Sequence, residues 1–143
     1  MPTLSPGDLH DARGLLLQRG WATREVLRYR RARVRAFPLR LKEWDYYCVL
    51  DGRRGVALTV ADNDYFGFLG VTWLDLEARR FTSRDVLVPF PLGRMTLPES
   101  ADAGDVQVCH GAVAISYRHA PEGRRLAFSA PDISGEIVLA RPD

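Results

Sequence analysis

The chain has 143 residues, of which 46% are hydrophobic and 27% are charged, and its formal net charge is +2. This length suits one domain, and the composition is that of a globular protein, which excludes a fibrous or wholly disordered chain. No apolar run approaches the roughly 18 residues of a membrane-spanning helix, and the small net charge disfavours a dedicated nucleic-acid binder.

Residues 1–38 are predicted to form an irregular N-terminal arm. The first eight residues have neither the basic nor the apolar stretch of a secretory signal. The two cysteines, Cys48 and Cys109, are far apart and belong to no CxxC pair. We therefore expect a cytoplasmic protein with two free, buried thiols.

The arm ends in a strongly basic segment. From Arg24 to Lys42 the chain has eight basic residues and one acid, Glu25. The arginines of Arg28–Arg35 largely alternate, which predicts an edge strand with one solvated basic face that blocks aggregation. A second hypothesis is weak binding of an anionic surface by Arg28–Arg35, with Tyr29 stacking on a base, but the overall charge balance disfavours nucleic acid.

From Leu39 onward the hydrophobic pattern has a period of two, which predicts strands. The expected strands cover residues 40–50, 54–62, 65–76, 79–88, 105–110, 112–119, 124–130 and 136–140. The segment 89–104, rich in proline and glycine, is a linker between two four-stranded halves. The predicted fold class of residues 39–143 is all-β: an antiparallel meander that forms a lipocalin-like barrel, a half-barrel or a sandwich.

Turn residues also predict the strand register in the second half. A two-residue turn at His110-Gly111 and a four-residue turn at residues 120–123 place the apolar side chains on one face. The predicted pairs are Val108 with Val113, Val106 with Ile115, Tyr117 with Leu126, and Ile115 with Phe128.

The first predicted hairpin, around Asp51-Gly52, has two unusual faces. One face carries three carboxylates, Glu43, Asp45 and Asp62, together with Tyr47 and aliphatic side chains. The opposite face sets large side chains, including Trp44 and Tyr46, against glycine and alanine. Large residues over small ones pack well, so we expect Trp44 and Tyr46 to be core.

The carboxylates are the candidate catalytic residues. Carboxylates held close together in an apolar pocket cannot all ionise, so one of Glu43, Asp45 and Asp62 would donate a proton while another accepts one. Tyr47 would hydrogen-bond a ligand oxygen. The alternative, more frequent for charged residues, is that these groups face solvent or pair with arginines such as Arg40 and Arg54.

Two further ligand-binding candidates are Trp73, among the aromatics of the sheet, and Arg94, in the linker. Their alternatives are ordinary core packing and a stiff crossover between the two halves. We predict no metal site, because Cys109 and His110 are adjacent and point to opposite faces of a strand. Glycine-rich nucleotide-binding motifs and the GxSxG motif are absent from the sequence, so no cofactor is predicted.

Five segments, in this order, resemble an uncharacterised bacterial family, domain of unknown function 2804. They are Gly20-Trp21-Ala22, Arg40–Tyr47 (RLKEWDYY), Ala57–Asp62 (ALTVAD), Tyr65–Gly67 (YFG) and Pro89–Arg94 (PFPLGR). The resemblance implies that the chain is the N-terminal half of a protein about twice as long. The family is in turn similar to lipocalin-like hydroxyneurosporene synthase, and some of those proteins hydrate, cyclise or isomerise apolar polyenes.

Three functions are therefore expected as alternatives. The first is a domain that binds a small apolar ligand, with acid/base chemistry at the three carboxylates. The second is a non-catalytic scaffold that docks a protein partner, or a missing C-terminal half, at an exposed sheet edge. The third is the weak anionic-surface binding described above.

Overall fold

The computed structural model describes residues 1–37 and 39–140. Apart from one short 3-10 helix, the regular secondary structure of these residues consists of β-strands. Pro38 and residues 141–143, where the predicted arm and domain end, lie outside the described residues. Two short strands, β1 (Gly7–Asp8) and β2 (Leu27–Arg28), pair in parallel within the arm. The other strands are β3 (Glu43–Leu50), β4 (Arg54–Asp62), β5 (Phe66–Asp75), β6 (Arg80–Pro89), β7 (Val106–His110), β8 (Val113–Ala120), β9 (Gly123–Ser129) and β10 (Ser134–Ala140).

Strands β3 to β6 form the first sheet, an antiparallel meander in chain order. Its first hairpin turns at Asp51, whose Oδ1 accepts the backbone N–H groups of Arg53 (2.8 Å) and Arg54 (2.6 Å). Gly52 takes a φ of 92°, which glycine adopts at little cost. The resulting register sets Glu43 opposite Asp62.

Strands β7 to β10 form the second sheet, also an antiparallel meander. The predicted pairs between β8 and β9 are confirmed, with Tyr117 opposite Leu126. The predicted register between β7 and β8 is wrong by two residues, because the turn is Gly111-Ala112 rather than His110-Gly111. Val106 therefore pairs with Tyr117, and the set of side chains on each face is unchanged.

The inner faces of the two sheets pack against each other and form one core. The core includes Val60, Leu69 and Val71 of the first sheet and Ile115, Leu126 and Val106 of the second, together with Met95 and Leu97 of the linker. Burial of each such side chain contributes about 1.5–3 kcal/mol. The all-β prediction is confirmed, and within the described residues the two separate sheets form a sandwich rather than a closed barrel.

Trp44 and Tyr46 lie on the outer face of the first sheet, so the prediction that they belong to the core is wrong. Trp44 is 62% exposed and Tyr46 is 55% exposed, so neither belongs to the core. A period of two separates the faces of β3 but does not say which one turns inward. The carboxylate face turns inward because it also carries Tyr47 and Val49, which pack against the core. The two thiols are free, as expected, but Cys48 and Cys109 are exposed rather than buried.

The basic segment is not the predicted edge strand. Among the described residues of this segment, only Leu27–Arg28 is extended and paired, and Arg31–Arg33 forms a short 3-10 helix. Asp8 explains part of this conformation, because its carboxylate binds Arg28 Nε at 3.0 Å and Arg33 Nη1 at 2.6 Å. The arm therefore folds on itself and against the first sheet.

Candidate functional site

Two tyrosines join the sheets at one margin of the sandwich. Tyr47 of β3 and Tyr117 of β8 have ring centroids 4.7 Å apart, with ring planes inclined at 59°. Tyr117 is fully buried, and its hydroxyl has no hydrogen-bond partner in the described part of the chain. An unpaired buried hydroxyl costs about 1–3 kcal/mol, so this group stands out as a site feature.

The Tyr47 hydroxyl accepts a hydrogen bond from Arg124 Nε of β9 at 3.1 Å. Arg124 Nη1 also donates to the carbonyl oxygen of Gly104 at 2.9 Å and lies 3.0 Å from His119 Nε2. His119 is held in turn by Asp105, whose Oδ1 accepts its backbone N–H at 2.9 Å, and this bond lowers the pKa of Asp105. Arg124 is therefore a positioned cation at the margin.

Asp45 lies two positions before Tyr47 on the inner face of β3 and pairs with Val60 of β4. Its carboxyl is half-buried and makes no hydrogen bond or ion pair within the described residues. Burial raises the pKa of Asp45, and the positive charge of Arg124 opposes that shift. Burial, and then the charge of Asp45, raise the pKa of Tyr117. A carboxyl with a raised pKa beside a fixed cation is the combination typical of acid/base sites.

Two clefts open to solvent along β3. The margin cleft, of about 400 Å³, is lined by Tyr47, Asp102, His119, Arg124 and Leu139 among others. A second cleft of about 250 Å³ is lined by Tyr29, Glu43, Asp45, Leu97 and neighbouring residues. Tyr47 lines the margin cleft and Asp45 lines the second cleft, and these residues lie two positions apart on the inner face of β3.

Glu43, the second predicted carboxylate, is engaged by the arm. It forms an ion pair with Arg31 and accepts a hydrogen bond from the Tyr29 hydroxyl. Its side chain is only 11% exposed. An arginine thus pairs with Glu43, as the alternative prediction has it, but this arginine is neither Arg40 nor Arg54.

Asp62, the third predicted carboxylate, is 2% exposed and binds the backbone. Its Oδ1 accepts the N–H of Asp64 at 3.1 Å, and its Oδ2 accepts the N–H of Met95 at 3.3 Å. These bonds tie the β4–β5 turn to the linker. The register places the three carboxylates on one face, but only Asp45 has no protein partner.

Comparison with known proteins gives the family. Residues 2–143 match the family described as Domain of unknown function (DUF2804). The chain belongs to this family. No curated protein and no solved structure matches it. The implied similarity to lipocalin-like proteins therefore stays an expectation.

The two remaining ligand-binding candidates, Trp73 and Arg94, lie away from the margin cleft. Trp73 has the inner-face orientation but sits opposite Val56, four residue pairs along the sheet from the level of Asp45. Arg94 folds back on its own loop, where Nε donates to the carbonyl oxygen of Pro91 at 3.0 Å and Nη2 to that of Phe90 at 2.9 Å.

The sequence analysis did not identify Tyr117, His119 or Arg124 as site residues. The available signal for Tyr117 was a single hydroxyl on a predicted face of aliphatic side chains and phenylalanine. Arg124 had no local signal, because its partner Tyr47 is 77 residues away in sequence. Over the described residues, no group of three or more His, Cys, Asp or Glu side chains suits a metal, and no helix is long and apolar enough to cross a membrane.

Proposed function

We propose that the margin cleft binds a small molecule with an apolar body and an oxygen-bearing, anionic end. The guanidinium of Arg124, which lines this cleft and is held by Tyr47, is the observation that carries this proposal. Leu139 offers apolar surface, and Arg124 offers a positive charge fixed in place by Tyr47 and Gly104. Packed side chains fill the space between the sheets, so the ligand binds at the margin and not inside a barrel.

Asp45 is the acid/base group of this proposal. It lines the second cleft, two positions from Tyr47, and its raised pKa makes its carboxylate a stronger base. An isomerisation balances with one proton: the Asp45 carboxylate takes it from one carbon of the ligand and returns it to another. Hydration would also require a water molecule, whose oxygen adds to the carbon next to the one that is protonated. Glu43 and Asp62 take no part, because the arm and the backbone occupy them.

The binding step is tested with two probes of equal chain length, octanoate and octanol, by isothermal titration calorimetry. We expect octanoate to bind more tightly than octanol. Arg124→Leu should weaken octanoate binding by about ten- to a hundredfold, since it removes a hydrogen bond to a charged group. Equal binding of octanoate to wild type and Arg124→Leu, or binding to neither, would sink the proposal.

The neighbouring Arg125 provides a matched control. It lies in the same strand but pairs with Glu122 and with Glu136, the latter at 3.0 Å on the outer face of the second sheet. Arg125→Leu should leave octanoate binding unchanged. For the chemical step, deuterium exchange at the carbons next to the ketone of 7-oxooctanoate, which keeps the anionic end, is measured by NMR in D2O. Exchange should be lost in Asp45→Asn, and exchange that persists would remove Asp45 from its role.

A non-catalytic interaction domain is the second proposal, supported by the exposed side chains of Trp44, Phe81 and Leu87 on the outer face of the first sheet. Anionic-surface binding through Arg28–Arg35 has less support, because Arg28 and Arg33 bind Asp8 and Arg31 binds Glu43. A cytoplasmic location stays a proposal that rests on the two free thiols.

A further inference from the structure

The margin cleft sets a histidine against an arginine. His119 of β8 and Arg124 of β9 lie directly opposite each other in the second sheet, and both line the cleft. Arg124 Nη1 lies 3.0 Å from His119 Nε2 and 2.5 Å from His119 Nδ1. A guanidinium only donates hydrogen bonds, so at these distances a ring nitrogen must offer its lone pair. The contact as it stands therefore requires a neutral imidazole.

A proton on His119 would remove this contact. The imidazolium carries an N–H on both ring nitrogens and accepts no hydrogen bond. Two cations, the imidazolium and the guanidinium of Arg124, would then face each other at hydrogen-bonding distance. Asp105 offsets this repulsion on one side only, because its Oδ1 lies 3.4 Å from His119 Nδ1. The protonated state therefore lacks a negative group on its other side, between His119 Nε2 and Arg124.

The charges around His119 favour the uptake of a proton together with an anion. Within the described residues, the charged groups that line the cleft or act on its cation are Arg124 of β9, Asp102 and Asp105 before β7, and Asp45 of β3. With His119 neutral, one positive charge faces the two negative charges of Asp102 and Asp105, and Asp45 adds a third when it is ionised. A carboxylate that enters the cleft therefore meets a net negative margin. A proton on His119 supplies a second positive charge beside Arg124.

Two hydrogen-bond donors are left for the two oxygens of a carboxylate. Arg124 holds Tyr47 with Nε and Gly104 with Nη1, and its Nη2 makes no hydrogen bond within the described residues. The second donor is His119 Nε2 in its protonated form. We propose that His119 is the second anion-binding residue of the margin cleft, and that a carboxylate ligand binds between Arg124 and His119 together with one proton. His119 thus acts in the site of the proposed function, on which this role rests, and it makes binding there depend on pH.

Proton uptake on binding tests the proposal. Octanoate is titrated calorimetrically at about pH 7, within the range where histidine gains its proton, in two buffers with different ionisation enthalpies. The difference between the two heats gives the number of protons taken up. We expect wild type to take up a measurable fraction of one proton. Its affinity for octanoate should rise about tenfold from about pH 8 to about pH 6, because the anion and the proton strengthen each other's binding equally. His119→Gln keeps a hydrogen-bonding group but takes no proton, so it should show neither effect.

His110→Gln is the matched control, because His110 ends β7 at the turn into β8 and lines a different cleft. It should keep both the proton uptake and the rise in affinity, and circular dichroism checks that each variant is folded. Octanoate that binds wild type without proton uptake would overturn the role of His119 and leave the proposed function standing. Uptake that persists in His119→Gln would assign the proton to another group, such as Asp45, and overturn that role as well. Absence of binding at both pH values would remove the proposed function together with the role of His119.

Discussion

The two hydrogen bonds of Asp62 yield a defined stability prediction. Asp62→Ala leaves the backbone N–H groups of Asp64 and Met95 without their acceptor. Hydrogen bonds to a charged group contribute about 1.5–3 kcal/mol each. The N–H of Asp64 is only part-buried, and water would satisfy it in the variant, so its loss counts for less. We therefore expect Asp62→Ala to lower the free energy of unfolding by about 2–4 kcal/mol.

Urea denaturation, followed by tryptophan fluorescence, measures this change. With a slope of about 2 kcal/mol per molar urea, the midpoint should fall by about 1–2 M. Asp62→Asn is the graded control, because its amide oxygen retains one acceptor, and it should lie between wild type and Asp62→Ala. A free energy within about 0.5 kcal/mol of wild type for Asp62→Ala would refute the structural role of this carboxylate.

Two further predictions concern Asp45 and Gly67. Burial raises the pKa of Asp45, so the folded chain binds the carboxyl proton more tightly than the unfolded chain does. The stability that this proton contributes is lost as pH rises through the folded-state pKa. Asp45→Asn should therefore be more stable than wild type at neutral pH, with the difference vanishing below about pH 3.9, and parallel stability profiles would contradict this. In Gly67→Ala the new methyl would overlap the Met95 side chain and lie 3.1 Å from the carbonyl oxygen of Ala61, so thermal unfolding should show a loss of about 1–3 kcal/mol.

The strands could be predicted from the sequence because their signals are local. Alternation of apolar side chains and turn residues such as Asp51-Gly52 lie within a few residues of the features they specify. The register at Gly111-Ala112 was missed by two residues because either pair of residues there closes a short turn with the same facing side chains. Which face of β3 points into the core depends on its packing against the second sheet, so the hairpin sequence alone does not determine it.

The site was only partly predictable, because some of its contacts are local and others depend on the tertiary fold. Asp45 and Tyr47 were identified because they share one strand face. Arg124 and Tyr117 come from the other sheet, and the pairing of Glu43 with Arg31 depends on how the arm folds back. Each of these contacts joins segments whose proximity is a property of the tertiary fold.

The strand order of the two sheets has a consequence for how the chain folds. Each sheet consists of strands that are consecutive in sequence, from Glu43 to Pro89 and from Val106 to Ala140. Every pairing within a sheet closes a short loop, so little chain entropy is lost at each step. The contacts of Tyr47 with Tyr117 and Arg124 span 70 or more residues and form only when the sheets dock. We therefore expect the hairpins to form early and the sandwich to close last, so that the margin cleft is assembled in the final folding step.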